Sequence, residues 1–227
     1  MNGDFETGIK LYRAKRYRKA LDELLSLSLE PGDNPDLAYY IGLCYAKLEQ
    51  YDEALLYLEQ VVTTHTNIIL IYQCRMVLGY IYTVTNRYRL AEFEFKRLLD
   101  EGYKSTQVYS AYSYVAYCLG QKEKSLAFLE EALALEPENP NALNSMGYIM
   151  AEEEINLQKA VTYCKEALQL KPDHPAYLDS AGWACFKMGK LKEAHAYLKR
   201  AYALSGGDST ISSHLREVIK KKEAGSD

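Results

Sequence analysis

Small residues recur along this chain at a nearly constant interval, and no other feature limits its fold so strongly. Gly8, Gly42, Gly79, Ser113, Gly147 and Gly182 stand 34, 37, 34, 34 and 35 residues apart. A second series, Ala20, Ala54, Ala91, Ser125, Ala160 and Ala194, follows the first by 12 residues, or by 13 in the fifth copy. Four positions further stand Leu24, Leu58, Phe95, Leu129, Cys164 and Leu198, and three beyond those come Leu27, Val61, Leu98, Ala132, Ala167 and Ala201. Such a period implies one supersecondary unit copied six times, each copy burying a face against the next.

The second copy, NPDLAYYIGLCYAKLEQYDEALLYLEQVV, reads as two helices with a break between them. Asn34 is suited to cap a helix with Pro35 at its first position, where a missing N–H costs nothing. That helix runs through Tyr39, Gly42 and Tyr45 to about Leu48. Asp52 is expected to cap the next, which carries Ala54, Leu55, Leu58 and Val61 at helical spacing. Gly42 and Ala54 on facing sides let two antiparallel helices approach to about 8–10 Å. Prolines at 31, 137 and 172 close several copies.

Three copies depart from the pattern. The fourth has serine at both small positions, which adds hydroxyls that need partners. Extra residues around His65, Thr66 and Asn67 lengthen the junction of the second and third copies, where a local change of superhelical angle is expected. The fifth copy carries one more residue in the turn EEEINLQ, which a solvent-facing turn tolerates cheaply. After the sixth copy, Ser205-Gly206-Gly207 stops the chain's helix and Asp208 or Ser209 can cap another. Ile211, Leu215, Val218 and Ile219 would share one face of it, with Arg216, Glu217, Lys220 and Lys221 opposite, so it is expected to cover the last hairpin.

These residues resemble the tetratricopeptide repeat family. Its 34-residue helix–turn–helix unit has small residues at the eighth and twentieth positions, a large ring near the twenty-fourth and proline near the thirty-second. The likeness covers nearly the whole chain, and residues 177–204 are among the clearest copies. It implies an all-α fold, a right-handed superhelical solenoid of six helix hairpins plus a C-terminal capping helix. The expected repeats are 1–34, 35–71 with the short insertion, 72–105, 106–139, 140–174 and 175–207, with a cap at 208–223, all in one continuous domain over 1–223.

In this family the first helix of each repeat lines a concave groove through its second, fifth, ninth, twelfth and thirteenth positions, which form one stripe. The ninth position carries Ile9, Leu43, Tyr80, Tyr114, Tyr148 and Trp183. Around it lie Tyr39 and Met76 at fifth positions and Tyr117 and Phe186 at twelfth, with Gln73, Gln107, Asn141, Asn144 and Asp179 as polar interruptions. The resemblance therefore implies an aromatic trough for a partner, formed by Tyr39, Leu43, Met76, Tyr80, Tyr114, Tyr117, Asn144, Tyr148, Asp179, Trp183 and Phe186. The competing reading is that these rings pack between neighbouring repeats and meet no ligand. Relatives that clamp a terminal carboxylate carry lysine where this chain has Tyr39, Met76 and Ser110, so that function does not carry over.

Composition narrows the partner. The 227 residues include 21 Tyr against five Phe and one Trp, an excess suited to interfaces that need a ring with a polar tip. A net charge of −4 argues against a phosphate backbone as main ligand. No apolar run follows the charged N-terminus, and none reaches the ~20 residues needed for a membrane span. Five cysteines, odd in number and never as CxxC, predict free thiols and a cytoplasmic protein with neither disulfide nor zinc. The four histidines lack metal-ligand spacing, no phosphate loop or GxSxG is present, and neither enzyme activity nor a cofactor is expected. The run Lys10, Arg13, Lys15, Arg16, Arg18 and Lys19 reads as the solvated face of a terminal repeat. The function expected is an adaptor that binds another protein or peptide segment. The alternatives are a helical-repeat RNA-binding protein and a subunit that forms a homo-oligomer through the groove.

Overall fold

The computed structural model describes residues 4–29, 31 and 34–224, which form thirteen α-helices without a strand. They are α1 (Phe5–Arg13), α2 (Tyr17–Leu25), α3 (Pro35–Lys47), α4 (Tyr51–Thr64), α5 (Ile68–Val84), α6 (Tyr88–Asp100) and α7 (Thr106–Cys118). Then come α8 (Lys122–Leu135), α9 (Pro140–Glu152), α10 (Leu157–Leu170), α11 (Pro175–Lys187), α12 (Leu191–Leu204) and α13 (Ser209–Ala224). The all-α helical-repeat class is the one the small-residue period implies.

Local chemistry sets where these helices start. Asn34 and Asn139 each accept through the side chain from the backbone N–H three residues on, at 3.1 Å, with Pro35 and Pro140 in the first turn. The expected cap at Asp52 is corrected: α4 starts two residues earlier than that cap implies, at Tyr51 after Gln50, whose side chain makes no capping bond. Asp52 then lies in the first turn, where its charge still faces the positive end of the helix. Asp208 does cap α13, its Oδ1 accepting from Thr210 N at 2.8 Å and Ile211 N at 3.0 Å.

The turn inside each pair also repeats. Glu49 is left-handed at φ 59°, and Gln50 N donates back to Tyr45 O at 3.0 Å, closing α3. Lys15, Asn86 and Gly189 occupy the same place at φ 59°, 60° and 79°. In the fifth pair Glu154 holds it, and the added residue becomes Asn156, whose side chain accepts from Lys159 N and caps α10. The earlier insertion, expected to lengthen the junction, is absorbed mostly as helix. His65, Thr66 and Asn67 form the connection, but α5 has 17 residues where α3, α9 and α11 have 13. The added length is one extra helical turn at residues 68–71.

Packing divides the chain into two compact units, one up to Lys104 with Tyr114–Gly120, the other Ser105–Ser113 with the chain from Gln121 onward. In the first, α1 packs on α2, α3 on α4 and α5 on α6, and the pairs stack through α2 on α3 and α4 on α5. Arg75 and Glu94 form a buried ion pair at 2.8 Å between α5 and α6, and burial keeps the Glu94 carboxyl above its ordinary range despite the guanidinium. In the second, α9 pairs with α10 and α11 with α12, α8 packs on α9, α10 on α11, and α13 rests on both α12 and α11.

The small residues are where backbones meet. Ala20, Ala54, Ala91, Ala160 and Ala194 have no exposed surface. A Cβ added to Gly42 would lie 2.8 Å from Leu58 Cγ. At Gly147 it would lie 2.5 Å from Cys164 Sγ and 2.8 Å from the backbone oxygen of Ala160, which explains a small side chain at 164. In the fourth copy the hydroxyls of Ser113 and Ser125 bond each other at 2.9 Å, so each supplies the partner the other needs. Gly147→Ala should destabilise by about 1–3 kcal/mol and by more than Gly42→Ala, because Leu58 can shift its side chain while the α10 backbone cannot yield. Urea unfolding followed by circular dichroism measures both, and equal costs would show that the fifth pair is no tighter than the second.

Candidate functional site

In the first unit, several of the expected groove residues surround an open pocket of about 450 Å³. Tyr39, Leu43, Ala46 and Lys47 come from α3, and Gln73, Met76, Val77 and Tyr80 from α5, with Tyr12 and Tyr103 completing the wall. Residues three or four apart share one helix face, so each helix offers a single stripe to the pocket. Tyr39 and Leu43 are 8% and 7% exposed and form its floor, Met76 is half-buried, and Tyr80 is 54% exposed. The Tyr39 hydroxyl donates to Gln73 Oε1 at 2.6 Å, tying α3 to α5. Burial pushes that phenol above its ordinary value, so it stays a neutral donor. Tyr103 is held by its ring contact with Tyr72 at 4.9 Å. At the end of α7, Tyr114 is also 54% exposed and Tyr117 half-buried. Burial, helped by a bond to Cys118, pushes the Tyr114 phenol up to about 12.

The second unit uses equivalent positions for its own packing. Trp183 is only 6% exposed: His214 of α13 stacks on the indole at 4.1 Å and 17°, Phe186 lies at 5.1 Å, and the ring N–H donates to Glu152. His214 Nδ1 lies 2.9 and 3.0 Å from the two oxygens of buried Asp179. The expectation that Trp183 and Asp179 face a partner is therefore corrected, because α13 covers both. The buried face of α13 is Ile211, His214 and Val218, while Ile219, expected inside, is 36% exposed. The aliphatic residues alone already make a plausible stripe, and the signal for His214 is the 3- and 4-residue spacing of 211, 214 and 218. Asn144 and Tyr148 are half-buried on α9, and the Asn144 side-chain oxygen is buried without a hydrogen-bond partner among the described residues.

Little else in the chain suggests chemistry. Among the described residues no group of His, Cys, Asp or Glu could hold a metal ion, and no helix is long and apolar enough to cross a membrane. All five cysteines are free, and burial raises the Cys44 and Cys74 thiols to about 12 and lifts Cys185 as well. Lys10, Arg13, Lys15, Arg16, Arg18 and Lys19 are all exposed.

Two tetratricopeptide repeat models match, over residues 5–66 and 106–139. The chain is a tetratricopeptide repeat (TPR) protein. Intraflagellar transport protein 70A of Danio rerio is 37% identical over 59 residues, which are 26% of this chain and 9% of that protein. Among solved structures, the Cut9–Hcn1 hetero-tetramer of the APC/C superposes with TM-score 0.79 at 12% identity, over 95% of this chain and 42% of that one. YrrB, described as a TPR protein with an unusual peptide-binding site, gives 0.60 at 18% identity over 88% of this chain and 97% of that one. At such identities the structures establish the fold alone. TPR proteins are generally non-enzymatic interaction scaffolds, and a protein-interaction scaffold is the general role supported here.

Trp183 is the sole tryptophan, so its fluorescence reports on α13 directly. Ending the chain after Gly207 should shift its emission to the red and raise acrylamide quenching. His214→Ala should produce a smaller shift and cost about 1–3 kcal/mol, since it leaves Asp179 buried without its partner. Unchanged emission in both would mean that α13 does not cover the indole. Of the five thiols, Cys118, which is not fully buried, should react first with Ellman's reagent in native protein, the others following only on unfolding. Mass mapping of the labelled peptides reads the order.

Proposed function

We propose that this TPR protein is a cytoplasmic adaptor that holds a segment of a partner protein between α3 and α5. The observation that carries the reading is an exposed aromatic wall, Tyr80, above an apolar floor of Leu43 and Met76. Rings of this kind bring large contact area with few rotatable bonds and commonly dominate interface energy. Tyr39 serves as a fixed floor, and Tyr114 and Tyr117 widen the proposed surface. In the second unit Asn144, Tyr148 and Phe186 stay in the proposed contact set, while Asp179 and Trp183 leave it. The net charge of −4 favours a protein over a nucleic acid. Free thiols accord with a reducing compartment. Each of the six helix pairs is proposed to be one repeat.

Placing a photo-reactive benzoylphenylalanine at Tyr80, and separately at Phe93 on α6, tests this in native extract. Cross-linking to another protein from position 80, and at least about tenfold less from position 93, is expected, since truncated anchors commonly lose ≥ ~2 kcal/mol while peripheral sites lose little. Products from position 93 alone would move the site to the other helix. Products joining two copies of this chain would favour self-association instead.

A further inference from the structure

We infer that the first-unit pocket selects an extended segment in which an apolar residue is flanked by aspartate or glutamate. This rests on the groove reading above and adds the chemistry of what the groove accepts. The pocket floor is apolar at Leu43, Met76 and Val77, and no carboxylate is among its described lining residues. Lys47, at the edge, is exposed and has no ion-pair partner among the described residues. Arg13, which is not itself a lining residue, follows pocket-lining Tyr12, stands 34 residues before Lys47 at the equivalent place in α1, and is likewise exposed and without an ion-pair partner among the described residues.

Geometry turns these two cations into a spacing rule. α1 packs beside α3, and helices in such contact lie about 8–10 Å apart. An extended chain advances about 3.3 Å per residue, so carboxylates two or three residues apart can meet Arg13 and Lys47. An apolar residue between them then points into the pocket. Gln73 adds a donor: with its oxygen taken by the Tyr39 hydroxyl, its amide N–H groups are directed to other acceptors such as a peptide carbonyl. The exposed turn at Lys15 and Arg16 strengthens the long-range attraction for an acidic segment and repels a basic one. The carboxylates are side-chain groups, since the lysines of a terminal-carboxylate clamp are absent at residues 39, 76 and 110.

The test selects a random twelve-residue peptide library, displayed on phage, against the immobilised full chain. Expected winners carry Asp or Glu within three residues of an apolar residue. A synthetic copy of one should lose about tenfold or more in affinity with Lys47→Glu, several-fold with Lys47→Ala, and weaken as salt rises. Circular dichroism of both variants should match the parent, since Lys47 is a surface residue. Winners that need Tyr80 but carry no acidic residue, or that ignore Lys47→Glu, would overturn the charge rule and leave the groove reading standing. If no winner depends on Tyr80 or Leu43, both fail. A twelve-nucleotide single-stranded RNA that binds through Lys47 while no peptide is recovered would assign the cations to phosphate and overturn the inference.

Discussion

The contact on which the rest of this protein depends is the one between a small residue in the first helix of a pair and the side chain it admits from the second. Gly42 receives Leu58, Gly79 receives Phe95, and Gly182 receives Leu198, each at a distance where a methyl group would collide. Bringing the axes this close fixes how the two helices of a pair pack, and repeated packing within a unit sets first helices side by side. That in turn brings the fifth- and ninth-position stripes of α3 and α5 to one pocket. The pocket is a consequence of the packing repeat, with no motif of its own. Where the sequence changes at the contact, the chemistry is compensated locally: two serines bond each other, and a tighter glycine goes with a cysteine.

Equivalent positions meet different fates because their neighbours differ. Tyr80 and Trp183 both stand at the ninth place of a first helix, yet one is 54% exposed and the other 6%. The difference is α13, whose His214 lies flat on the indole and reaches Asp179 one turn away. A histidine bonded to a carboxylate and stacked on a ring satisfies three polar or aromatic groups at once, so burial there carries little penalty. Next to Tyr80 the pocket is lined by side chains that leave a cavity instead of filling it. An interface residue in a repeat protein is thus defined by what the adjacent helix leaves uncovered.

The chain shows how insertions are taken up. One added residue in the fifth turn becomes a left-handed asparagine that caps the following helix, a local solution readable from an Asn at that place. The longer addition before the third copy becomes helix, since Ile68, Ile69, Leu70 and Ile71 lead into α5 with no proline before Val84. Propensity and hydrogen-bond satisfaction favoured another turn of α5.

By itself the sequence determined the all-α repeat class and the small residues at its close contacts, because helices that approach closely need small side chains where they meet. It also determined the stripes from which a site is drawn, because helical spacing fixes which residues share a face. It left open which members of a stripe stay exposed, since that depends on side chains 30 or more residues away: Asp179 meets His214 across 35 positions, and Tyr39 meets Gln73 across 34. Tertiary structure decided that Tyr80 stays exposed while Trp183 is covered. It also decided that Lys47 lines an apolar pocket with no carboxylate among its described lining residues. Exposure and charge environment are properties of the neighbourhood, and packing alone creates that neighbourhood.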